Sequence, residues 1–365
     1  MADRLPIVEV DNVTPRLGSL LRRDPTVIGF GVNAATKLVA PVAVATTPSG
    51  QGEGAWGIEV VGAHDSLWTG KGITVGLLDT GIDTGHPWFV RTALEVKDFT
   101  GEGPGDGNGH GTHCAGVFFG HLLGHRVGMA PGIENALVGK VLDSKGAGTA
   151  ETLFQGVLWA AERGVGVLSL SLGFDFPAIV RDLEATGVSA QAAASAAISG
   201  YVQLLRAFDR LADMLALGMP GRAPMLIFAA SGNESARDVN PRDSVGASPL
   251  AAAEKVIAVG AVGRSIDEVL RVAPFSNHGV DLCAPGVDII GPRAGGDTVQ
   301  MSGTSMAAPY AAGAAALWAE YLGSERAKVS FDELKSRVVG SCKILPGVST
   351  DRLADSGAGL VRVPK

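Results

Sequence analysis

Three short stretches of the chain contain residue types that serve nucleophilic catalysis. Asp79 lies in LLDTGID, His110 in GDGNGHGTHCAG and Ser305 in SGTSMAAP. A serine hydroxyl needs a base to take its proton as it attacks, and histidine suits this role because its pKa lies near neutral pH. A buried carboxylate can hold the other imidazole nitrogen and stabilise the cation that forms. Each motif is weak alone, but the order Asp, His, Ser within longer strings is a strong signal.

Metal binding is the competing interpretation of the histidines. His110 and His113 lie three residues apart, and His121 and His125 have the i, i+4 spacing of zinc ligands on a helix. No Glu stands between the second pair as in HExxH, so a zinc hydrolase is a distant alternative and no metal site is predicted there. Cys114 is expected to be a buried thiol close to the catalytic pair, with a redox-sensitive thiol as the alternative.

Alternating strands and helices must position these residues. Apolar runs bounded by glycine and polar residues predict buried strands within 72–80, 135–143, 165–173, 225–233 and 255–262. Helical patterns separate them, which favours an α/β fold of three layers: a mostly parallel sheet with helices on both faces. Sites in such folds form at the carboxyl ends of strands, where the DTG, SLG and SGN motifs are found.

Longer strings around these motifs resemble a known family. LLDTGIDTGHP, GNGHGTHCAG and MSGTSMAAPYAAGAAAL are similar to the three signature blocks of subtilisin-like serine peptidases, the subtilases, and the resemblance spans roughly 56–343. It implies a subtilisin-like fold and a serine endopeptidase that hydrolyses peptide bonds through an acyl-enzyme on Ser305. His110 would be the general base, Asp79 the orienting acid, and Asn233 the side-chain donor of the oxyanion hole.

The resemblance also implies where substrate binds. The backbone of one strand would pair with the substrate and line the pocket for the residue before the cleaved bond, and a second stretch would form another wall. These two stretches are Ser171-Leu172-Gly173 and Ala229-Ala230-Ser231. The pocket region contains no charged residue, which favours a neutral, hydrophobic residue before the cleaved bond.

Domain organisation follows from composition. The peptidase domain is expected over 56–345, with a helical insertion at about 174–223 and a C-terminal tail at 346–365. Residues 1–55 form an N-terminal segment, either a short pro-segment that covers the cleft or an arm packed on the domain. The insertion is either a packed helical hairpin on the flank of the domain or a lid or docking surface near the active site.

Within the N-terminal segment, two runs have a strand-like composition. They are VIGFGV and KLVAPVAVATT, and the glycine-rich SGQGEG that follows is typical of a linker.

No cofactor is expected. The usual subtilase calcium site uses an Asp just after the His-Pro of the first block and an Asn-rich loop after the histidine helix. Trp88 occupies the first position and the loop reads GHLLGHRVG (120–128), so few oxygen ligands are on offer and this structural calcium site is expected to be absent. A weaker site around 234–243 is an alternative.

Composition limits the partners. The chain has 365 residues, a net charge of −7 and no basic cluster, so nucleic acid is not an expected partner. No apolar run suits a membrane span. The predicted partner is a protein or peptide substrate, with an intramolecular contact between 1–55 and the peptidase domain. Three cysteines and a charged N-terminus favour a cytoplasmic location, with secretion left open.

Two further functions stay open beside hydrolysis. An amine could displace the acyl-enzyme, which would make the protein a peptide ligase or macrocyclase. A silenced subtilase that only binds peptides is the non-enzymatic alternative, although all four catalytic positions are present.

Overall fold

A computed structural model describes residues 6–8, 20–21, 23–29, 31, 33–42, 56–122, 125–218, 222–265, 267–325, 328–345 and 353–365. Its strands are β1 (Ala35–Leu38), β2 (Thr74–Asp79), β3 (Ala93–Asp98), β4 (Asn135–Lys140), β5 (Ala147–Thr149), β6 (Val167–Leu170), β7 (Leu172–Phe174), β8 (Leu226–Ala230), β9 (Val256–Arg264), β10 (Leu270–Val272), β11 (Leu282–Pro285), β12 (Ile289–Pro292) and β13 (Thr298–Met301). Its helices are α1 (Trp56–Val60), α2 (His110–Phe119), α3 (Ala150–Glu162), α4 (Phe176–Ala185), α5 (Ala190–Leu217), α6 (Thr304–Glu325), α7 (Phe331–Gly340) and α8 (Leu353–Ser356), and a 3-10 turn spans Pro87–Phe89.

An eight-stranded sheet runs through the centre of the domain. Its order is β10-β9-β8-β6-β2-β4-β3, with β11 also pairing with β9, and only the β9–β10 pair is antiparallel. The central strands are apolar and buried because helices cover both faces. The predicted three-layer α/β fold is confirmed.

The strand register brings the expected site residues to one edge. Leu78 pairs with Leu170 on the neighbouring strand, and Leu170 pairs with Ala229 on the next. Asp79, the residue after Leu170 and the end of β8 therefore lie side by side at the carboxyl end of the sheet.

The helices form two groups. α2 and α6 pack on each other, and α6 also contacts β6, β8, β9 and β11. α3 contacts β2 and β4, and α5 contacts α3 and β8. Small residues let α6 be buried almost all round, since alanine and glycine allow neighbouring backbones to approach closely.

The insertion at 174–223 folds as two packed helices. α4 and α5 contact each other, and α4 also contacts β1. An apolar stripe along α5 is buried at Phe208, Leu211 and Leu215, while Val202 is only partly buried. The ring of Phe208 packs edge-on against Phe154 of α3 at 5.7 Å, which fixes the insertion to the domain.

The N-terminal segment differs from its strand-like prediction. Residues 27–29 and 31 form no strand, and only the start of KLVAPVAVATT lies in β1. Residues 39–42 of that run are not part of a strand, and 43–47 lie outside the described residues. β1 pairs antiparallel with β5 on one side and β7 on the other, forming a second, three-stranded sheet.

The stretch expected to be a C-terminal tail is described from residue 353, where it packs into the domain. Leu360 and Val361 are buried, and the amide of Val361 donates to the Cys283 carbonyl at 2.9 Å. In the part of the chain that the structure describes, no helix is both long and apolar enough to cross a bilayer.

Candidate active site

The acid and the base meet at the end of β2. Asp79 is the last residue of that strand, and His110 is the first residue of α2, following Gly109 in the left-handed region at φ 92°. The Asp79 Oδ1 and His110 Nδ1 atoms lie 2.8 Å apart, and both side chains are buried. The carboxylate therefore holds Nδ1–H and leaves Nε2 as the nitrogen that can accept a proton.

Electrostatics favours the protonated imidazole. Burial works to lower the pKa of His110, but the adjacent Asp79 carboxylate outweighs it and holds that pKa well above the ordinary 6.5. Cys114 lies 3.6 Å from Nδ1, and burial raises the pKa of this thiol, so it stays neutral at neutral pH. Asp79 is therefore the charge that stabilises the imidazolium.

Asp106 ties the two elements together, a role that the sequence analysis missed. Its Oδ1 accepts hydrogen bonds from the Thr80 hydroxyl (2.8 Å) and the Gly109 amide (2.8 Å), and its Oδ2 accepts from the amide and hydroxyl of Thr112. One carboxylate thus links the turn after Asp79 to the first turn of α2 and caps that helix. A clue was present: an Asp within a Gly-rich turn just before a helix.

The expected nucleophile, Ser305, lies in the first turn of α6. Ser305 is buried and follows Thr304, the first residue of the helix. Pro309 has no N–H, so it cannot give the carbonyl of Ser305 its usual helical partner. That carbonyl instead accepts from the Ser171 hydroxyl (3.2 Å) and the Cys114 thiol (3.3 Å).

Asn233 is placed by the turn that follows β8. Gly232 has φ 115°, and a Cβ there would lie 2.3 Å from the Asn277 amide nitrogen, so this turn requires glycine. The amide and hydroxyl of Thr304 both donate to Asn233 Oδ1 at 2.9 Å. The Asn233 amide nitrogen therefore points toward the groove beside Ser305, another consequence of Thr304 that the sequence did not reveal.

The groove in front of these residues is occupied by the chain's own residues 35–42. The amide of Leu38 donates to the Gly146 carbonyl at 2.8 Å, and that of Val39 donates to the Ser171 carbonyl at 3.1 Å. Beyond the catalytic residues, the amide of Val42 donates to the Ser302 carbonyl at 2.7 Å. The segment lies in the groove as an added strand.

Two consecutive carbonyls of this segment contact the catalytic residues. The Ser305 hydroxyl donates to the Val39 carbonyl at 2.5 Å, and the Asn233 amide donates to the Ala40 carbonyl at 2.8 Å. A hydroxyl has one proton, so with the segment bound this proton is not given to His110. The nucleophile and the amide donor thus hold different peptide groups.

Of the expected substrate-binding residues, the stretch 171–173 contacts this segment. In the register of β1 and β7, Leu172 pairs with Leu38 and Gly173 with Lys37. Ala229 and Ala230 are buried in β8, and the Ser231 carbonyl accepts the Ser248 amide at 2.7 Å. A Cβ at Gly173 would lie 3.3 Å from the Ser248 Cβ, so Ser248 faces this rim of the groove.

The other histidines have different surroundings. The buried His113 ring contacts the Ile289 carbonyl through Nε2 at 3.0 Å, and burial lowers its pKa to about 4. The helical spacing inferred for His121 and His125 is wrong, because α2 ends at Phe119 and Gly120 turns the chain away. His121 Nε2 contacts Arg91 at 3.1 Å instead. Among the described residues, Asp79, His110 and Cys114 are the group whose atoms could share a metal ion.

Arg126 fills the region of the expected calcium loop. Its guanidinium donates to four carbonyl oxygens, those of Ala63 (2.6 Å), Ser66 (3.4 Å), Trp68 (3.1 Å) and Met129 (2.7 Å). Burial lowers the pKa of Arg126 to about 10, so the group remains charged at neutral pH. A covalently attached cation already satisfies these oxygens.

Comparison with known proteins agrees with this geometry. Residues 70–352 match the Subtilase family. The chain belongs to the subtilase family.

Several characterised subtilases are similar to this chain. It is 34% identical to Subtilisin Savinase of Lederbergia lenta over 274 residues, which cover 72% of this subtilase and 82% of the relative. It is 32% identical to an intracellular serine protease of Paenibacillus polymyxa over 271 residues, covering 72% and 71%. The match to the alkaline protease of Shouchella clausii covers 58% of that protein. This subtilase is a subtilisin-like serine endopeptidase that acts on protein or peptide substrates.

Proposed function

We propose that this subtilase hydrolyses peptide bonds with Ser305 as nucleophile, His110 as general base and Asp79 as the orienting acid. The observation that carries this proposal is the bound segment, since Ser305 and Asn233 both donate to main-chain carbonyls of a peptide strand. The Asp79–His110 pair at 2.8 Å supplies the base beside them.

In the proposed reaction, His110 Nε2 takes the Ser305 proton as Oγ adds to the substrate carbonyl carbon. The negative oxygen is stabilised by the Asn233 amide and the Ser305 N–H, which belongs to the first turn of α6. His110 then protonates the leaving amine, the C–N bond breaks, and an acyl-enzyme remains on Ser305. Water attacks this ester with His110 again as base, which releases the acid product.

Covalent labelling tests the nucleophile. A fluorophosphonate probe should label the wild type once residues 35–42 have left the groove. Labelling should be lost in Ser305→Ala. Ser324→Ala, a control at the exposed end of α6, should be labelled as the wild type is. Peptidase activity of Ser305→Ala should fall by about 10⁴-fold or more. Undiminished activity in that variant would contradict the proposal.

Hydrolysis is preferred to ligation as the fate of the acyl-enzyme. The groove binds an extended strand, and nothing in the contacts described selects an amine in place of water. Mass spectrometry of products distinguishes the two reactions when a separate amine acceptor is added, because a ligated product is lighter by one water than the acid product and that acceptor combined. Ligated products as the main species would overturn this preference.

The segment also supports a specificity for small aliphatic residues. Val39 is assigned to the position before the cleaved bond, because its amide donates to the Ser171 carbonyl and its carbonyl accepts from Ser305. Asn233 holds the next carbonyl. Val39 is only 4% exposed. We propose that the pocket accepts a neutral aliphatic residue before the cleaved bond. In a peptide series, Val should exceed Asp at this position by about tenfold or more in kcat/KM. Equal values would contradict the proposal.

We propose that residues 35–42 act as an inhibitory pro-segment, because they block the groove with main-chain bonds on both sides. Val39→Asp places a charge in the pocket and should expel the segment, which raises activity on a short peptide about tenfold or more. Ile7→Asp, a control at an 82% exposed position, should leave activity unchanged. Equal activity of Val39→Asp and the wild type would contradict inhibition.

We propose that no structural calcium binds at 120–128, because Arg126 of this stretch already places a positive charge there, against the carbonyl oxygens of Ala63 and Met129. A resident calcium ion would stabilise the folded protein by mass action. Treatment with a chelator should therefore change the melting temperature by less than about 1 °C. A fall of several degrees that calcium reverses would contradict this. A weaker site around 234–243 stays a prediction.

We propose that this subtilase acts inside the cell. Relatives named as intracellular serine proteases in Paenibacillus polymyxa and Bacillus subtilis support this, as do three free thiols, which suit a reducing compartment. Fractionation of the source cells with a specific antibody tests it. Recovery of the protein mainly from the culture medium would contradict it.

A further inference from the structure

The helical insertion contacts the N-terminal segment upstream of the groove. Gly29 and Gly31 lie on α5, the long helix of the insertion, next to Ala207 and Leu204. A Cβ at Gly29 would lie 2.6 Å from the Ala207 Cβ and 2.8 Å from its Cα. A Cβ at Gly31 would lie 3.1 Å from the Leu204 backbone nitrogen. The two backbones touch, and only glycine allows this approach.

The two glycines contact one face of α5. Leu204 and Ala207, three residues apart, share that face. Both are buried, at 4% and 8% exposure. Gly29 and Gly31 therefore present two positions without side chains to an apolar strip of the helix.

Polar contacts continue this docking toward the groove. The Arg210 guanidinium donates to the Ile28 carbonyl at 2.7 Å. The Glu151 amide donates to Asn33 Oδ1 at 2.9 Å, which caps the first turn of α3. The Ala150 amide donates to the Ala34 carbonyl at 2.8 Å, directly before β1 begins. Contacts with α5 and α3 therefore lead up to the start of β1.

We propose that helix α5 of the insertion is a docking platform for Ile28, Gly29 and Gly31, and that it sets how firmly residues 35–42 inhibit the enzyme. This rests on the proposed inhibitory role of residues 35–42. A substrate that fills only the groove makes only strand contacts. The N-terminal segment makes strand contacts through residues 35–42 and also contacts α5 through Ile28, Gly29 and Gly31. Linking two weak contacts in one chain raises the effective concentration of the second.

Hydrogen exchange tests the docking without relying on catalysis. In full-length Ser305→Ala, the amides of Leu38 and Val39 should be protected, because both donate to the groove. Gly29→Ala/Gly31→Ala should speed their exchange by about tenfold, since added methyl groups overpack the contact with α5. Gly340→Ala, where a Cβ meets nothing within 4 Å, is the matched control. Exchange equal to that of the control would overturn the proposal.

A second variant leaves the glycines in place. Arg210→Gln removes the bond to the Ile28 carbonyl and should speed exchange at Leu38 and Val39 by about threefold. Arg163→Gln, which alters a surface pair with Glu95, is its control. If neither Arg210→Gln nor the glycine pair changes exchange relative to its control, α5 does not hold the segment.

Activity of the otherwise wild-type chain gives the functional readout. The double glycine variant should cleave a short peptide about tenfold faster than Gly340→Ala, because its segment leaves the groove more often. Faster exchange with unchanged activity would support the platform as an anchor but refute its control of inhibition. A wild type that stays inactive after segment removal would refute the proposed hydrolysis, while the exchange result would still stand.

Discussion

Asn233 uses both ends of its side-chain amide. Its oxygen accepts twice from Thr304, and its nitrogen donates to a peptide carbonyl in the groove. The oxygen contacts orient the amide before any substrate arrives. In the proposed reaction this donor is therefore already in place, and stabilising the negative oxygen needs no reorganisation at the moment of reaction.

Loss of this donor should affect the transition state far more than binding. We expect Asn233→Ala to lower kcat by about 10²–10³-fold with little change in KM. Steady-state kinetics on a short peptide measures both values. Asn240→Ala, which changes an exposed loop residue, should leave kcat unaltered. A rise in KM at constant kcat would show that Asn233 only binds substrate.

The Asp79–His110 pair predicts the pH dependence of the reaction. His110 must be neutral to accept the Ser305 proton, so activity falls as the pH drops through its pKa. The Asp79 carboxylate raises that pKa, which places the acid limb at higher pH than an ordinary histidine would give. Asp79→Asn should shift the limb to lower pH and reduce kcat by about 10⁴-fold. A pH–kcat profile of both proteins tests this, and an unshifted limb would contradict it.

At the scale of residues, the motifs predicted the candidate catalytic residues but not the side chains that position them. Asp79, His110, Ser305 and Asn233 could be assigned from sequence because each sits in a long matching string. Thr304 acts on Asn233, a residue 71 positions away in sequence, so its role depends on the fold and no residue pattern indicated it. For Asp106 the Gly-rich turn before a helix was a clue to the bonds with Gly109 and Thr112, but the bond to Thr80 required the fold.

At the scale of elements, Arg126 joins two loops through carbonyl oxygens alone. One loop follows α1 and the other precedes Met129, so the guanidinium connects segments about sixty residues apart. Glu320 of α6 supports the same region by accepting the amides of Thr69 and Gly70 at 2.7 Å. Charged donors to several carbonyls are stronger than neutral ones.

Replacement of Arg126 should therefore be costly. Arg126→Met leaves four carbonyl oxygens without this donor, and we expect a loss of about 2–4 kcal/mol in the free energy of unfolding. The melting temperature should fall by roughly 5–10 °C. Arg163→Met, which alters an exposed ion pair, should stay within about 0.5 kcal/mol of the wild type. Calorimetry measures both, and equal melting temperatures would contradict the role given to Arg126.

The sequence predicted the strands that are buried on both faces. It did not predict the packing of glycines on a helix or the early end of the helix after His110. The apolar runs gave the buried strands, since neighbours on both sides and helices on both faces demand such runs. VIGFGV has a strand-like composition, but its described glycines, Gly29 and Gly31, pack on a helix, which no strand propensity can indicate. The helix after His110 ends earlier than its pattern suggests, because Gly120 allows the turn and the Gly128 amide donates to its carbonyl.

At the scale of the whole molecule, the proposed inhibitory segment and the enzyme are parts of one chain. A segment bound within its own chain has an effective concentration that dilution does not change. The specific activity of the full-length protein should therefore be constant over about a hundredfold range of protein concentration. Rate measurements across that range test this. Specific activity that rises on dilution would indicate that the segment binds a second copy instead.

The missing N–H of Pro309 affects how Ser171 contacts both Ser305 and the bound peptide. Ser171 donates its hydroxyl to the Ser305 carbonyl that Pro309 leaves without a partner, and its own carbonyl accepts an amide of the bound peptide. Ser171 therefore binds the peptide through its backbone and supports the turn that carries Ser305 through its hydroxyl. A change at Ser171 affects both functions. Across the family, we expect the residues at 171 and 309 to covary, because an N–H regained at 309 would make the hydroxyl at 171 dispensable.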